Sequence, residues 1–195
     1  MANHLNTHFN PFTPVDAEEV TFAAGVTSLN ELCALLLCDP DDSILLIGPV
    51  YGSFTRDLTT KTSVNLEYVH VGEKDQFSPD SIAEIETGFE AAKARGKNVK
   101  ALFICNPHNP LGRCYSRETL TGLLRLCAKK GIHLVSDEIY ALSVYERDDR
   151  PSETFTSVRS IDCTGIISSD QVHVLYGMSK VVQISRYTES ERRQC

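Results

Sequence analysis

Short apolar runs alternate along this chain with stretches in which apolar positions recur at helical spacing. Ser43 to Ile47 (SILLI) reads as a buried strand closed by Gly48-Pro49, and further strands are predicted at 101–105, 132–135 and 172–176. Val64 to Val71 alternates apolar and polar residues, the pattern of a half-buried strand. Val20 to Ala24 reads as a short strand running into Gly25-Val26-Thr27-Ser28. After it, Leu29, Leu32, Cys33, Leu36 and Leu37 form a helical stripe. Ser28 with Glu31 makes a capping-box pattern, so this helix is expected to start at Ser28 and to end at Asp39-Pro40. Ser78-Pro79 opens a second helix that runs to the Gly96 stop. A third runs from Ser116 to Gly131, with Glu118 in its first turn and Lys129-Lys130 in its last, as the helix dipole favours. Residues 146–170 are polar, contain Pro151 and read as a long loop or irregular helix.

The repeated order of strand, loop and helix predicts an α/β fold: a three-layer sandwich with a mostly parallel sheet and helices on both faces. A length of 195 residues suffices for one large domain, with no linker or internal repeat in view. The net charge of −7, without a block of like charges, offers no footprint for nucleic acid or an anionic membrane, so a small-molecule or protein partner is expected. No apolar run approaches the roughly 20 residues that span a bilayer. The start, MANHLNTHFNPF, lacks the regions of a signal peptide, and a cytoplasmic location is the expectation. The seven cysteines contain no CxxC pair and lie mostly in apolar segments (Cys33, Cys38, Cys105, Cys127), where a thiol packs as a small hydrophobe. Of the six histidines only His4 and His8 share a helical spacing, and no metal site is expected.

In a parallel α/β sheet, ligands bind beyond the carboxyl ends of the strands. Thr27, Tyr51, Asn109, Asp137, Tyr140 and Lys180 each follow an apolar strand within a few residues. Singly, each has a plain structural reading. Lys180 could be a surface lysine, Asp137 a helix cap or a metal-binding pair with Glu138, Glu138 itself a cap, Asn109 a turn residue before Pro110, Tyr140 a core aromatic, and Tyr51 loop packing. Val26 and Thr27 could be an ordinary helix start, and Asn106 reads as structural. No GxGxxG follows a strand, which disfavours a dinucleotide site.

Five segments carry a resemblance: AAGVTSLNEL (Ala23 to Leu32), GPVYGSFTRDL (Gly48 to Leu58), NPHNPLG (Asn106 to Gly112), HLVSDEIY (His133 to Tyr140) and VHVLYGMSK (Val172 to Lys180). Over most of residues 15–180 the chain resembles the class I/II aminotransferases, pyridoxal 5'-phosphate (PLP) enzymes of fold type I. Within them it is most similar to the 1-aminocyclopropane-1-carboxylate synthases. The resemblance implies PLP as cofactor, bound by Val26, Thr27, Tyr51, Asn109, Asp137, Tyr140 and Lys180. Lys180 would form the Schiff base and abstract the substrate α-proton, since a lysine withdrawn from water becomes a usable nucleophile and base. Asp137 would keep the ring nitrogen protonated, Asn109 and Tyr140 would bond the phenolic oxygen, Tyr51 would stack on the ring, and Val26 and Thr27 would hold the phosphate at a helix N-terminus.

The implied function is a PLP-dependent, aminotransferase-like transformation of an amino acid by a homodimer. The alternatives are a 1-aminocyclopropane-1-carboxylate synthase-like lyase, or a truncated, non-catalytic remnant that binds PLP or a paralogue. On this resemblance residues 1–180 form a partial, incomplete PLP-dependent transferase large domain, 181–195 a divergent polar tail, and the small C-terminal domain is absent. Gly177 stands where the family commonly has a phosphate-binding serine, and Thr188 where it has an arginine. The family strand expected after Lys180, between the first strand and the one before the lysine, is not recognisable in the tail.

Overall fold

The computed structural model describes residues 1–145 and 154–180. Five strands form one sheet: β1 (Ser43–Gly48), β2 (Asn65–His70), β3 (Val99–Cys105), β4 (His133–Asp137) and β5 (Val172–Leu175). They lie in the order β2-β1-β3-β4-β5 and pair in parallel throughout. Among the described residues five helices accompany them: α1 (Ala2–His8), α2 (Val26–Leu37), α3 (Phe54–Thr59), α4 (Ile82–Ala94) and α5 (Arg117–Lys130).

The central strands are apolar on both faces because both faces are covered. Leu45 and Ile47 of β1, Leu102 and Ile104 of β3 and Leu134 of β4 pack with α4 and α5 in one core. The intervening residues Ile44, Leu46, Ala101, Phe103 and Val135 pack with α2 and α3 in the other. This is the three-layer arrangement expected. The helix ends also follow their residues. Ser78 accepts from the Asp80 N–H and Ser116 from the Thr119 N–H, while Gly131 closes α5 in the left-handed conformation at φ 67°.

Three local expectations are corrected. Val20 to Ala24 is not a strand: a strand is made by its ladder, and this segment faces β5 across an open groove instead of pairing with it. The groove, of about 680 Å³, is lined by Val20, Phe22, His173 and Leu175 among others. Helix α2 begins at Val26, not Ser28, because Gly25 at φ 88° and ψ 174° takes a turn open essentially to glycine. The expected capping box does not form; Ser28 lies inside the helix, its hydroxyl donating to the Ala24 carbonyl at 3.4 Å. Helices α1 and α3 were not expected. The first is polar (ANHLNTH) and gains its place through His4, stacked on Tyr176 at 5.5 Å, with the following Phe9 edge-on to the same ring at 4.9 Å. The second, FTRDLT, is too short to show a period. Of the expected loop 146–170, residues 146–153 lie outside the described residues; the remainder includes two short 3-10 turns, at Val158–Ser160 and Ser169–Gln171.

Helix α4 crosses β2 so closely that a Cβ at Gly88 would sit 2.3 Å from Val69 Cγ2. Gly88→Ala is therefore expected to destabilise the fold by ~1–3 kcal/mol, the usual cost of overpacking, despite the ~1 kcal/mol helical preference for alanine. Urea denaturation checks this; an unchanged or raised midpoint would contradict the contact.

Candidate functional site

Because the strands are parallel, their carboxyl ends share one edge of the sheet. The chain passes from β1 outward to β2 and returns to β3 on the other side of β1, which places a topological switch point between β1 and β3. The loop after β1 carries Tyr51 and the loop after β3 carries Asn109. The chain leaving β4 carries Asp137 to Tyr140, and that leaving β5 carries Gly177 to Lys180. Helix α2 points its N-terminus at the same edge: a Cβ on Gly177 would lie 3.1 Å from Val26 Cγ2 and 3.8 Å from Ile139 Cδ1. The sheet thus brings the expected residues to one end of the domain.

Asp137 is the best-defined member. It ends β4 in register with Cys105 on β3 and Leu175 on β5, on the face that α2 covers. Burial pushes its carboxyl up to about 6, against the pull of the Ile139 N–H, which donates to Oδ1 at 3.1 Å. The charge of Asp57 on α3 adds to the rise and that of Lys180 opposes it. Asp57 is itself buried and accepts a bond from Asn30 of α2 at 3.4 Å. Neither residue's place behind the site is visible in the sequence, where both read as ordinary polar positions on helices.

Lys180 lies in the turn at 178–180 with Nζ 5.5 Å from the centre of the Tyr140 ring. It is exposed, contrary to the expected desolvated setting, because no described element covers this turn. Tyr51 is half-buried and meets Phe54 edge-on at 5.4 Å. Asn109 and Tyr140 are half-buried, and among the described residues their side-chain polar atoms make no hydrogen bond. At α2, bonding begins with Ser28 and Leu29 N–H donating to Gly25, which leaves the N–H groups of Val26 and Thr27 ahead of the helical ladder.

On the opposite face, strand alternation sets a second group. Ser136 and Glu138 point away from Asp137, as does Asn106 at the end of β3. Asn106 is wholly buried, donating to the Thr156 carbonyl at 2.9 Å and accepting from the Tyr115 N–H at 3.1 Å. It is structural, as read from the sequence. Glu138 is fully buried and caps the 3-10 turn at Val158–Ser160, accepting from the Val158 N–H at 3.0 Å, and burial pushes its carboxyl up to about 7. The period-two alternation through Ser136-Asp137-Glu138 was the available signal for this division.

The donor set fits PLP. An amine, a buried carboxylate, an amide and a phenol without partners among the described residues, an aromatic ring and a helix N-terminus converge on one edge.

The raised Asp137 carboxyl has a consequence for stability. Its folded value of about 6 exceeds the ordinary 3.8, so the folded chain holds this proton more tightly and loses stability as pH rises through that window. Relative to wild type, Asp137→Asn is expected to gain on the order of 2–3 kcal/mol between pH 4 and pH 7. Chemical denaturation of both proteins across this range measures the difference; a difference that stays constant would contradict the burial.

Comparison with known proteins agrees with the geometry. The model of the aminotransferase class I and II family matches residues 1–185. A probable aminotransferase of Claviceps purpurea is 38% identical over 183 residues, covering 92% of this chain and 42% of that protein. A 1-aminocyclopropane-1-carboxylate synthase of Arabidopsis thaliana is 35% identical over 169 residues, covering 85% of this chain and 36% of its own length. The chain thus spans about two-fifths of these relatives. A PLP-bound C-S lyase from Staphylococcus hominis shares the fold with a TM-score of 0.72 at 23% identity, over 94% of this chain and 42% of that one. The five motifs, the parallel sheet and these matches together place the chain in the aminotransferase class I and II family.

Proposed function

We propose that this chain binds pyridoxal 5'-phosphate at the carboxyl edge of its sheet and takes part in an aminotransferase reaction on an amino acid. The observation that carries the reading is the convergence on that edge of Asp137, Tyr140, Asn109, Tyr51, Lys180 and the N-terminus of α2. When bound, the cofactor supplies an electron sink for the pair left behind when the α-proton departs. Asp137 would hold a proton at the ring nitrogen, its burial beside α2 keeping water from competing for that bond. Asn109 and Tyr140 would donate to the phenolic oxygen, and Tyr51 would cover the ring. Val26 and Thr27 N–H groups receive the phosphate, an arrangement suited to a dianion at a helix start.

Lys180 Nζ is the amine that would hold the cofactor and, when free, would accept the α-proton of the substrate. Its Nζ lies 5.5 Å from the centre of the Tyr140 ring, on the side of the site. The same reading carries assembly as a homodimer in the cytoplasm. No helix among the described residues is long and apolar enough to cross a membrane.

Incubation of the purified chain with PLP, borohydride reduction and peptide mass mapping test the reading. The expected outcome is a phosphopyridoxyl group on Lys180 alone, lost in Lys180→Ala. Label scattered over many lysines, or none, would sink it.

A further inference from the structure

Glu138 is the polar residue of β4's end that the chemistry above leaves without a task. It is 0% exposed, yet it is an acid. Its Oε1 accepts from the Ser136 hydroxyl at 3.0 Å and from the backbone N–H of Val158 at 3.0 Å. Its Oε2 is buried without a partner among the described residues. Burial pushes its carboxyl up, the neighbouring charge of Asp137 adds to the rise and the Ser157 hydroxyl pulls against it, while Arg159 turns away to pair with Glu19 at 3.1 Å.

An unpaired oxygen in such a place costs stability, and an apolar side chain would fill the volume without that cost. What the acid supplies is geometry. The carbonyl of Asp137 accepts from the Asn106 N–H at 2.8 Å, and the Glu138 N–H donates to the Leu175 carbonyl at 2.8 Å. The peptide between Asp137 and Glu138 is therefore tied to β3 on one side and β5 on the other. The Glu138 side chain, bonded to Val158, adds a third tie on the face opposite the site. Adjacent strand residues point to opposite faces, so fixing the direction of Glu138 fixes that of Asp137.

We propose that Glu138 is a positioning residue that aims Asp137 at the ring nitrogen of the cofactor, by clamping the Ser157-Val158 segment to the back of β4's carboxyl end. This inference rests on the cofactor reading above. The first experiment is titration of PLP into wild type, Glu138→Gln and Glu138→Leu, with melting temperature and amide exchange at Val158 followed on the same proteins without PLP. Gln keeps an acceptor for Val158 and is expected to bind PLP within about threefold of wild type, a loss below 1 kcal/mol. Leu keeps the volume and no acceptor. It is expected to melt no lower than wild type but to expose the Val158 amide to exchange and to weaken PLP about tenfold or more, as misplacement of a site group does. Leu binding as tightly as wild type would overturn the proposal.

A second measurement does not depend on the Leu variant folding. Ionised Glu138 places a second negative charge beside Asp137 and favours the protonated ring nitrogen that Asp137 would hold, so wild-type affinity should rise relative to Glu138→Gln by several-fold from pH 6 to pH 8. A ratio that stays flat would show the clamp to be merely structural and overturn the proposal. Absence of saturable PLP binding in wild type overturns the cofactor reading, and this inference with it, whereas normal wild-type binding with an indifferent Leu variant overturns this inference alone.

Discussion

The site depends on the parallel register of β1, β3, β4 and β5, above all on the pairing of Asp137 with Cys105 on one side and Leu175 on the other. That register brings four loops to a common edge. Because side chains alternate, it also decides which residues face the site and which brace it. A one-residue slip of β4 would turn Asp137 toward α4 and α5 and carry Ser136 and Glu138 to the α2 face. The apolar residues that prevent the slip are ordinary ones: Leu134 belongs to one core and Val135 to the other, and neither is exposed.

Much of this was legible in the sequence for a physical reason. Buried parallel strands must be apolar on both faces, so SILLI and the run ending in Cys105 announce themselves. Ser78 and Ser116 show the helix starts because their hydroxyls meet backbone N–H groups that have no other partner. The segment from Val20 to Ala24 was misread because pairing is a property of the neighbour as well as the strand. Its side chains permit a strand, but β5 does not reach it. The start of α2 was misplaced because Ser28 matches a capping pattern while Gly25 makes the turn. That the candidate residues share one edge could be read from their place after strands, but the environments of Lys180 and Glu138 could not. Exposure of one and burial of the other are set by elements distant in the chain.

Two acids, Asp137 and Glu138, sit side by side at the end of β4 with their carboxyls pushed up by burial. Neither stabilises the empty fold at neutral pH. On the proposed reading, Asp137 would become favourable when a cationic ring nitrogen meets its carboxylate, and Glu138 would be retained for the direction it imposes. Local cost at a functional edge, compensated by the two apolar cores, is the pattern expected where binding and stability make different demands.

The most direct test of an assembled site is circular dichroism within the PLP absorption band as cofactor is added to the 195-residue chain. PLP is achiral and acquires a signal only when held in one asymmetric environment. The account predicts an induced band that saturates at one cofactor per chain. A chain that adds PLP with no induced band, or whose signal rises without saturation, would show that the residues share an edge without forming a site.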